Sequence, residues 1–335
     1  MGSESRNRYL LKNTLIFTLG NIGSRMISFF LIPLYTNVLT TSQYGTVDLI
    51  TTISTVAGPM LTLNIAESVM RFGLDKDADK EKNTQCGSIV LLIAMIIGLV
   101  LIPICRCITE VSDYAMYVYF YVISLSASQL FLCDLRGKEL LLKYSLGNIL
   151  QTLMIAILNI TFLLVFKMET GGYLLAYIIA NFIVAIYAII AGKGYKAFSF
   201  HNIDRCKLKE MIRYSVVLIP NTFMWWIMNS SDRVMVTYMI GAAANGIYAV
   251  SYKLPTLVST LTGIFNQAWS YSAIREEGTS DETEYNNKMF KTLSAIAFMM
   301  GIGLLLLTKP FLGVYVADSY YDAWKYLSLI HISEP

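Results

Sequence analysis

The chain has 335 residues, 55% hydrophobic and only 15% charged. Its apolar residues gather into long runs rather than amphipathic patterns, which excludes a water-soluble domain and predicts a polytopic membrane protein. A net charge of +3 says little, and the five cysteines, an odd number set in or beside apolar runs, give no disulfide framework.

About ten apolar spans follow in chain order. The first, residues 13–38, follows a basic N-terminus but is too long for a signal peptide and lacks a small-residue cleavage site, so it is expected to stay in the mature protein. Arg25 is the only charge between Lys12 and Asp48. A cation at mid-membrane costs roughly 2.5–3.5 kcal/mol on insertion scales, which makes it a functional candidate by default. Thr14, Thr18, Asn21, Arg25 and Ser28 lie on one helix face, and that stripe must look into a bundle interior or an aqueous cavity. The second span, residues 44–71, carries a similar stripe of Asp48, Thr52, Thr55, Pro59 and Thr62, and Glu67 and Arg71 have the spacing of a helical ion pair.

Spans at 88–105, 114–133, 144–165 and 171–191 complete a first set of six. The polar stretch from Gly192 to Arg213 carries six basic residues and reads as a linker. Three domains are therefore expected: a six-helix lobe over 1–192, a basic cytoplasmic linker over 193–213, and an incomplete C-terminal lobe over 214–335 with spans at 214–240, 245–271, 288–308 and from near Tyr321. With the N-terminus in the cytoplasm, the inner segments hold roughly 19 basic residues and the outer ones only Arg106, Lys167 and Lys309, which sets the expected orientation. The final His331-Ile332-Ser333-Glu334-Pro335 resembles translated adapter sequence, and a truncated reading frame is expected.

After the linker the sequence begins again. Asn21 and Arg25 are echoed by Asn229 and Arg233, Tyr44-Gly45 by Asn245-Gly246, and Pro59 by Pro255. In the eighth span Tyr248, Tyr252, Pro255, Ser259, Thr262, Asn266 and Trp269 share one face. These pairs predict a parallel internal repeat, the arrangement that places substrate between two lobes at the midplane. Pro33, Pro59, Pro220 and Pro255 are candidate bending points, since each removes a backbone hydrogen bond within a span.

The Gly-x-x-x-x-Arg of the opening segment, Ser231-Asp232-Arg233, Gly246-Ile247-Tyr248 with Tyr252-Lys253-Leu254-Pro255, and Phe265-Asn266-Gln267-Ala268-Trp269 resemble a Wzx-type polysaccharide flippase of the multidrug/oligosaccharidyl-lipid/polysaccharide (MOP) exporter superfamily. The resemblance implies an all-α, MATE-like bundle of two lobes around a cationic cavity, with about ten of an expected twelve to fourteen spans in this chain. It further implies a bacterial cytoplasmic membrane location, and outward movement of a polyprenyl-diphosphate-linked oligosaccharide by alternating access. Membrane lipids and a glycan polymerase or other export machinery are the partners it suggests; no cofactor, metal or nucleic acid is expected.

The residues themselves agree on the cation. Arg offers a planar fork for two phosphate oxygens. Arg25, Arg233 and Lys253, the last about 12 Å in from its helix end, are the expected diphosphate ligands. Asn21, Asp48, Asn229, Asp232 and Asn266 are expected to line the cavity, and Tyr248, Tyr252 and Trp269 to stack on sugars. For Arg25 the structural alternative is an ion pair with Asp48; for Arg233 it is an interlobe structural role. Trp225 and Trp226 are further aromatic candidates, and packing explains them as well. A sodium- or proton-coupled multidrug exporter is the rival function. A membrane-embedded glycan polymerase or ligase is a weaker one, because the expected outer connections are short and offer no His or paired carboxylates for acid–base work.

Overall fold

The computed structural model describes residues 27–75, 77–107, 111–198, 204–276 and 282–326. These are helical throughout, with no strand among the described residues: α1 (Ile32–Val38), α2 (Thr41–Leu61), α3 (Ile65–Gly73), α4 (Lys80–Arg106), α5 (Ala115–Gly137), α6 (Leu141–Ile160), α7 (Glu169–Ala191), α8 (Arg205–Met239), α9 (Ala242–Glu276) and α10 (Glu282–Tyr315).

The turn between α1 and α2 is written into four residues. The Thr40 hydroxyl accepts from Gln43 N at 3.2 Å while Gln43 Oε1 accepts from Thr40 N at 2.9 Å, a reciprocal capping box that fixes the start of α2. The other end of α2 corrects the expectation of one continuous span over 44–71. Leu63 and Asn64 adopt left-handed φ values of 52° and 54°, and α3 departs at 60° from α2. Pro59 prepares the break by withdrawing an N–H from the last turn, and Asn64 N reaches back to Pro59 O at 2.6 Å. A second expectation also fails at this point: Arg71 pairs with Asp75 at 2.6 Å and not with Glu67.

Among the described residues five helices are long and apolar enough to cross a membrane, namely α4, α5 with its preceding turn, α6 with the π-turn Thr161–Val165, α7, and α10 from Asn287; the bent α2–α3 pair makes a sixth. Helices α8 and α9, with 35 residues each, are about 52 Å long and thus amply long, but too polar to pass that test. Their polarity has a structural reason, since they carry the charges of the site described below. The span expected at 13–38 begins outside the described residues. Of the span expected from Tyr321, the description reaches only the 3-10 turn Asp318–Ala323 and the residues up to 326.

Helix α5 packs on α7, α3 and α4, α6 packs on α7, and α2 packs extensively on α9. One buried cluster, with Tyr35, Tyr44, Leu49, Tyr173, Val250 and Tyr320, lies around the start of α2. The other, with Ile65, Val69, Leu130, Leu135, Val184 and Met211, lies around α3 and the beginning of α8. There Ser68 Oγ donates to Met211 O at 2.7 Å. Lys138 Nζ donates to the buried Asp134 Oδ2 at 2.6 Å and to Gly192 O at 2.9 Å, and so ties the ends of α5 and α7 together.

Candidate functional site at the contact of α2, α8 and α9

Two glycines bring α2 and α9 together. A Cβ on Gly45 would lie 1.8 Å from Ala242 O, and one on Gly246 would lie 2.0 Å from Thr41 O. The contact is reciprocal, because each glycine faces the carbonyl four residues before the other, so the two helices meet about a local two-fold axis. Any other residue at either position would drive the backbones apart. Asn245 seals the contact, its Nδ2 donating to Gly45 O at 2.9 Å and reaching Asp48 Oδ2 at 3.4 Å.

One turn further along, α8 enters. Arg233 Nη1 donates to Asp48 Oδ1 at 3.1 Å and lies 3.5 Å from Thr52 Oγ1. The guanidinium sits over the Tyr252 ring, 4.5 Å from its centroid. The pair is withdrawn from solvent, with side-chain exposures of 12% for Arg233 and 6% for Asp48. Arg233 Nε is buried and has no hydrogen-bond partner among the described residues. Asp232, the neighbouring residue, turns the other way: it accepts from the Tyr248 hydroxyl and, at 2.9 Å, from Arg233 N. Lys253 is partly buried within electrostatic reach of both Arg233 and Asp48. Trp226 Nε1 donates to Thr52 O at 2.9 Å and extends the α2–α8 contact by two turns of α8.

The structure thus gathers Asp48, Asp232, Arg233, Lys253, Tyr248 and Tyr252 at one interhelix contact. These comprise two acids and two bases, so the charge of the described part balances. Tyr252 serves as a platform for Arg233 and Tyr248 as a donor to Asp232. Asn229 is exposed, with its amide donating to Trp225 O of its own helix at 2.7 Å, and Trp225 is exposed as well. Asn21 and Arg25 lie outside the described residues, as do the side chains of Asn266 and Trp269. Asp48, for which the sequence offered Arg25 as a partner, has Arg233 and Asn245 as its described ones.

Sequence reasoning missed a second polar feature. A cavity of about 740 Å³ opens at the α2–α3 break, between α5, α6 and the first half of α8. Asn64, whose Nδ2 donates to Thr222 Oγ1 at 3.3 Å, and Pro59 line it beside Glu67, Gln129, Asn148 and Asn221. The signal was present, since Tyr144, Asn148 and Gln151 on α6 and Gln129 and Cys133 on α5 recur at helical spacing within apolar spans.

Against solved structures the chain resembles a MOP superfamily transporter from Pyrococcus furiosus with a TM-score of 0.59 and 12% identity, over 96% of this chain and 77% of that one. It also resembles MATE in complex with MaD3S and MATE in the straight conformation, each with a TM-score of 0.57, 13% identity and coverage of 96% and 77%. At such identities the likeness shows a shared fold: a multi-pass helical membrane bundle of the MATE type. No curated protein matches the chain in sequence. The family model described as polysaccharide biosynthesis protein matches residues 10–271. That match covers most of the 335 residues, and the chain therefore belongs to the polysaccharide biosynthesis protein family of membrane transporters.

Proposed function

We propose that the protein carries a polyprenyl-diphosphate-linked oligosaccharide from the inner to the outer leaflet of a bacterial cytoplasmic membrane, with its N-terminus and the α2–α3 break on the cytoplasmic side. The observation that carries this reading is Arg233. It is held between α2, α8 and α9, one guanidinium nitrogen paired with Asp48 and another buried with no acceptor among the described residues. A diphosphate supplies acceptors for both, and guanidinium pairs with phosphate in a bidentate fork. Lys253 adds a second positive charge, and Arg25, expected on the first span, a third.

Substrate and Asp48 then compete for the same cation. In the arrangement described, Asp48 ties α2 to α8 where the two glycines close α2 against α9. A phosphate that takes Arg233 from Asp48 releases that tie, the lobes part at the glycine end, and departure of the substrate restores it. Binding shifts the equilibrium by its differential affinity for the two arrangements, which is the requirement for alternating access. The chain acts on this reading as a transporter and not as an enzyme.

The test is complementation of a flippase-null strain with the full-length gene, reading the lipid-linked glycan that accumulates. Arg233→Ala at normal abundance is expected to leave the glycan accumulated, and unimpaired export would refute the proposal. Multidrug efflux has one observation in its favour, the balance of two acids against two bases at the contact. Expulsion of a cationic dye by cells carrying the protein, unchanged in Arg233→Ala, would establish it instead.

A further inference from the structure

We infer that the cavity at the α2–α3 break is a seat for the uncharged sugars of the substrate, and that Glu67 makes it reject acidic ones. The inference rests on the flippase reading above. The cavity measures about 740 Å³, within the range of roughly 300–1,000 Å³ typical of small-molecule sites. Its polar lining is dominated by amides: Asn64, Gln129, Asn148, Gln151 and Asn221, with Glu67 as the carboxylate. No Lys or Arg lines it among the described residues. A site for phosphate would need cations, whereas one for sugar hydroxyls needs groups that both donate and accept, as an amide does.

Four of these six groups are also free to act. Gln151 is engaged with Asn181 at 2.6 Å and Asn64 with Thr222. The side chains of Gln129, Asn148, Asn221 and Glu67 make no hydrogen bond or ion pair with described residues. Glu67 is partly buried, about 9 Å before the end of α3, and the spacing that suggested Arg71 as its partner is not used. An unpaired carboxylate among amides accepts from two hydroxyls, tolerates an amino sugar and repels a carboxylated one. The position suits the ligand too. Thr222, which lines the cavity, and Arg233 lie about 16 Å apart along α8, a separation that a short oligosaccharide seated in the cavity spans to bring its linked diphosphate to Arg233.

The experiment is capture of defined, lipid-free and phosphate-free oligosaccharides on an array by the purified full-length protein in nanodiscs. Capture of neutral glycans is expected, with uronic-acid-containing ones excluded. Asn148→Leu and Gln129→Leu should weaken capture about tenfold each, the loss of one hydrogen-bonding group. The isosteric Asn148→Asp, with an unchanged melting temperature, separates lost recognition from misfolding. Glu67→Gln should admit the acidic glycans. The inference is overturned if no neutral glycan is captured, if capture ignores the Asn148 and Gln129 variants, or if the wild type takes acidic glycans. Glu67-dependent capture of an organic cation without any glycan would overturn it as well. Complementation that succeeds while the array result fails removes this inference alone; failure of complementation removes the flippase reading on its own evidence.

Discussion

Removing Asp48 is predicted to cost more than removing Arg233, and the structure supplies the reason. Unit charges about 4 Å apart attract by about 4 kcal/mol at an effective dielectric constant near 20, and breaking a buried pair from one side typically costs about 3–5 kcal/mol. In Asp48→Ala the stranded guanidinium keeps, among the described residues, the Tyr252 ring at 4.5 Å and a marginal contact to Thr52 at 3.5 Å, with Lys253 nearby as a like charge. The ring offsets about 0.5–2 kcal/mol of that loss. In Arg233→Ala the stranded carboxylate keeps Asn245 at 3.4 Å and the attraction of Lys253. We expect about 3–5 kcal/mol for Asp48→Ala, roughly 1–2 kcal/mol less for Arg233→Ala, and a double variant well below the sum, with a coupling of about 2–4 kcal/mol. Reversible denaturation of the full-length protein in mixed micelles measures all three. Additivity within about 0.5 kcal/mol, or a costlier Arg233→Ala, would refute the reasoning.

Three further outcomes follow from the same geometry. Gly45→Val and Gly246→Val should each hold the glycine end open, since their side chains meet carbonyl oxygens at 1.8 and 2.0 Å; a cysteine at the fully buried Ala249, in a cysteine-free background, becomes accessible to an impermeant maleimide in both. Tyr248→Phe removes a donor from Asp232 and should destabilise the protein by about 1–3 kcal/mol in the same denaturation assay. Asp134→Ala should cost about 3–5 kcal/mol, because Lys138 is only 12% exposed, whereas Arg71→Ala, with its pair about half exposed, should change stability by less than about 1 kcal/mol.

The helical membrane fold was legible because hydrocarbon permits few spanning architectures, and long apolar runs leave little choice between them. The glycine contact was half legible. Tyr44-Gly45 and Asn245-Gly246 stood out as echoes, but that the two glycines touch each other is a tertiary fact that no local pattern carries. The break at residues 62–64 was hidden because hydropathy continues through it, and only Pro59 hinted at it. Glu67 and Arg71 show the limit of spacing rules: an i,i+4 pair is worth only a few tenths of a kcal/mol on a helix surface, too little to hold Arg71 once Asp75 offers the same geometry. For the site, residue types and faces were readable, and the partnerships were not. That Asp48 belongs to Arg233 depends on how three helices converge.

The repeat and the chemistry part company at the contact, and that difference bears on mechanism. Counted from the paired glycines, Asp48 on α2 corresponds to the fully buried Ala249 on α9, and Thr52 corresponds to Lys253. The glycines are therefore matched where the backbones meet, while the charges are unmatched: α2 brings one carboxylate, and α8 with α9 bring two bases and Asp232. Closed, the sum is zero. Parted, α2 keeps a single negative charge and the α8–α9 side a net positive one. On the proposed reading the affinity of the α8–α9 side for an anion rises as Asp48 withdraws, and a bound diphosphate replaces the attraction that held the closed form. A symmetric pair of charges would give neither lobe a preference, so the divergence of the two repeats at Asp48 and Lys253 is what gives the contact a direction.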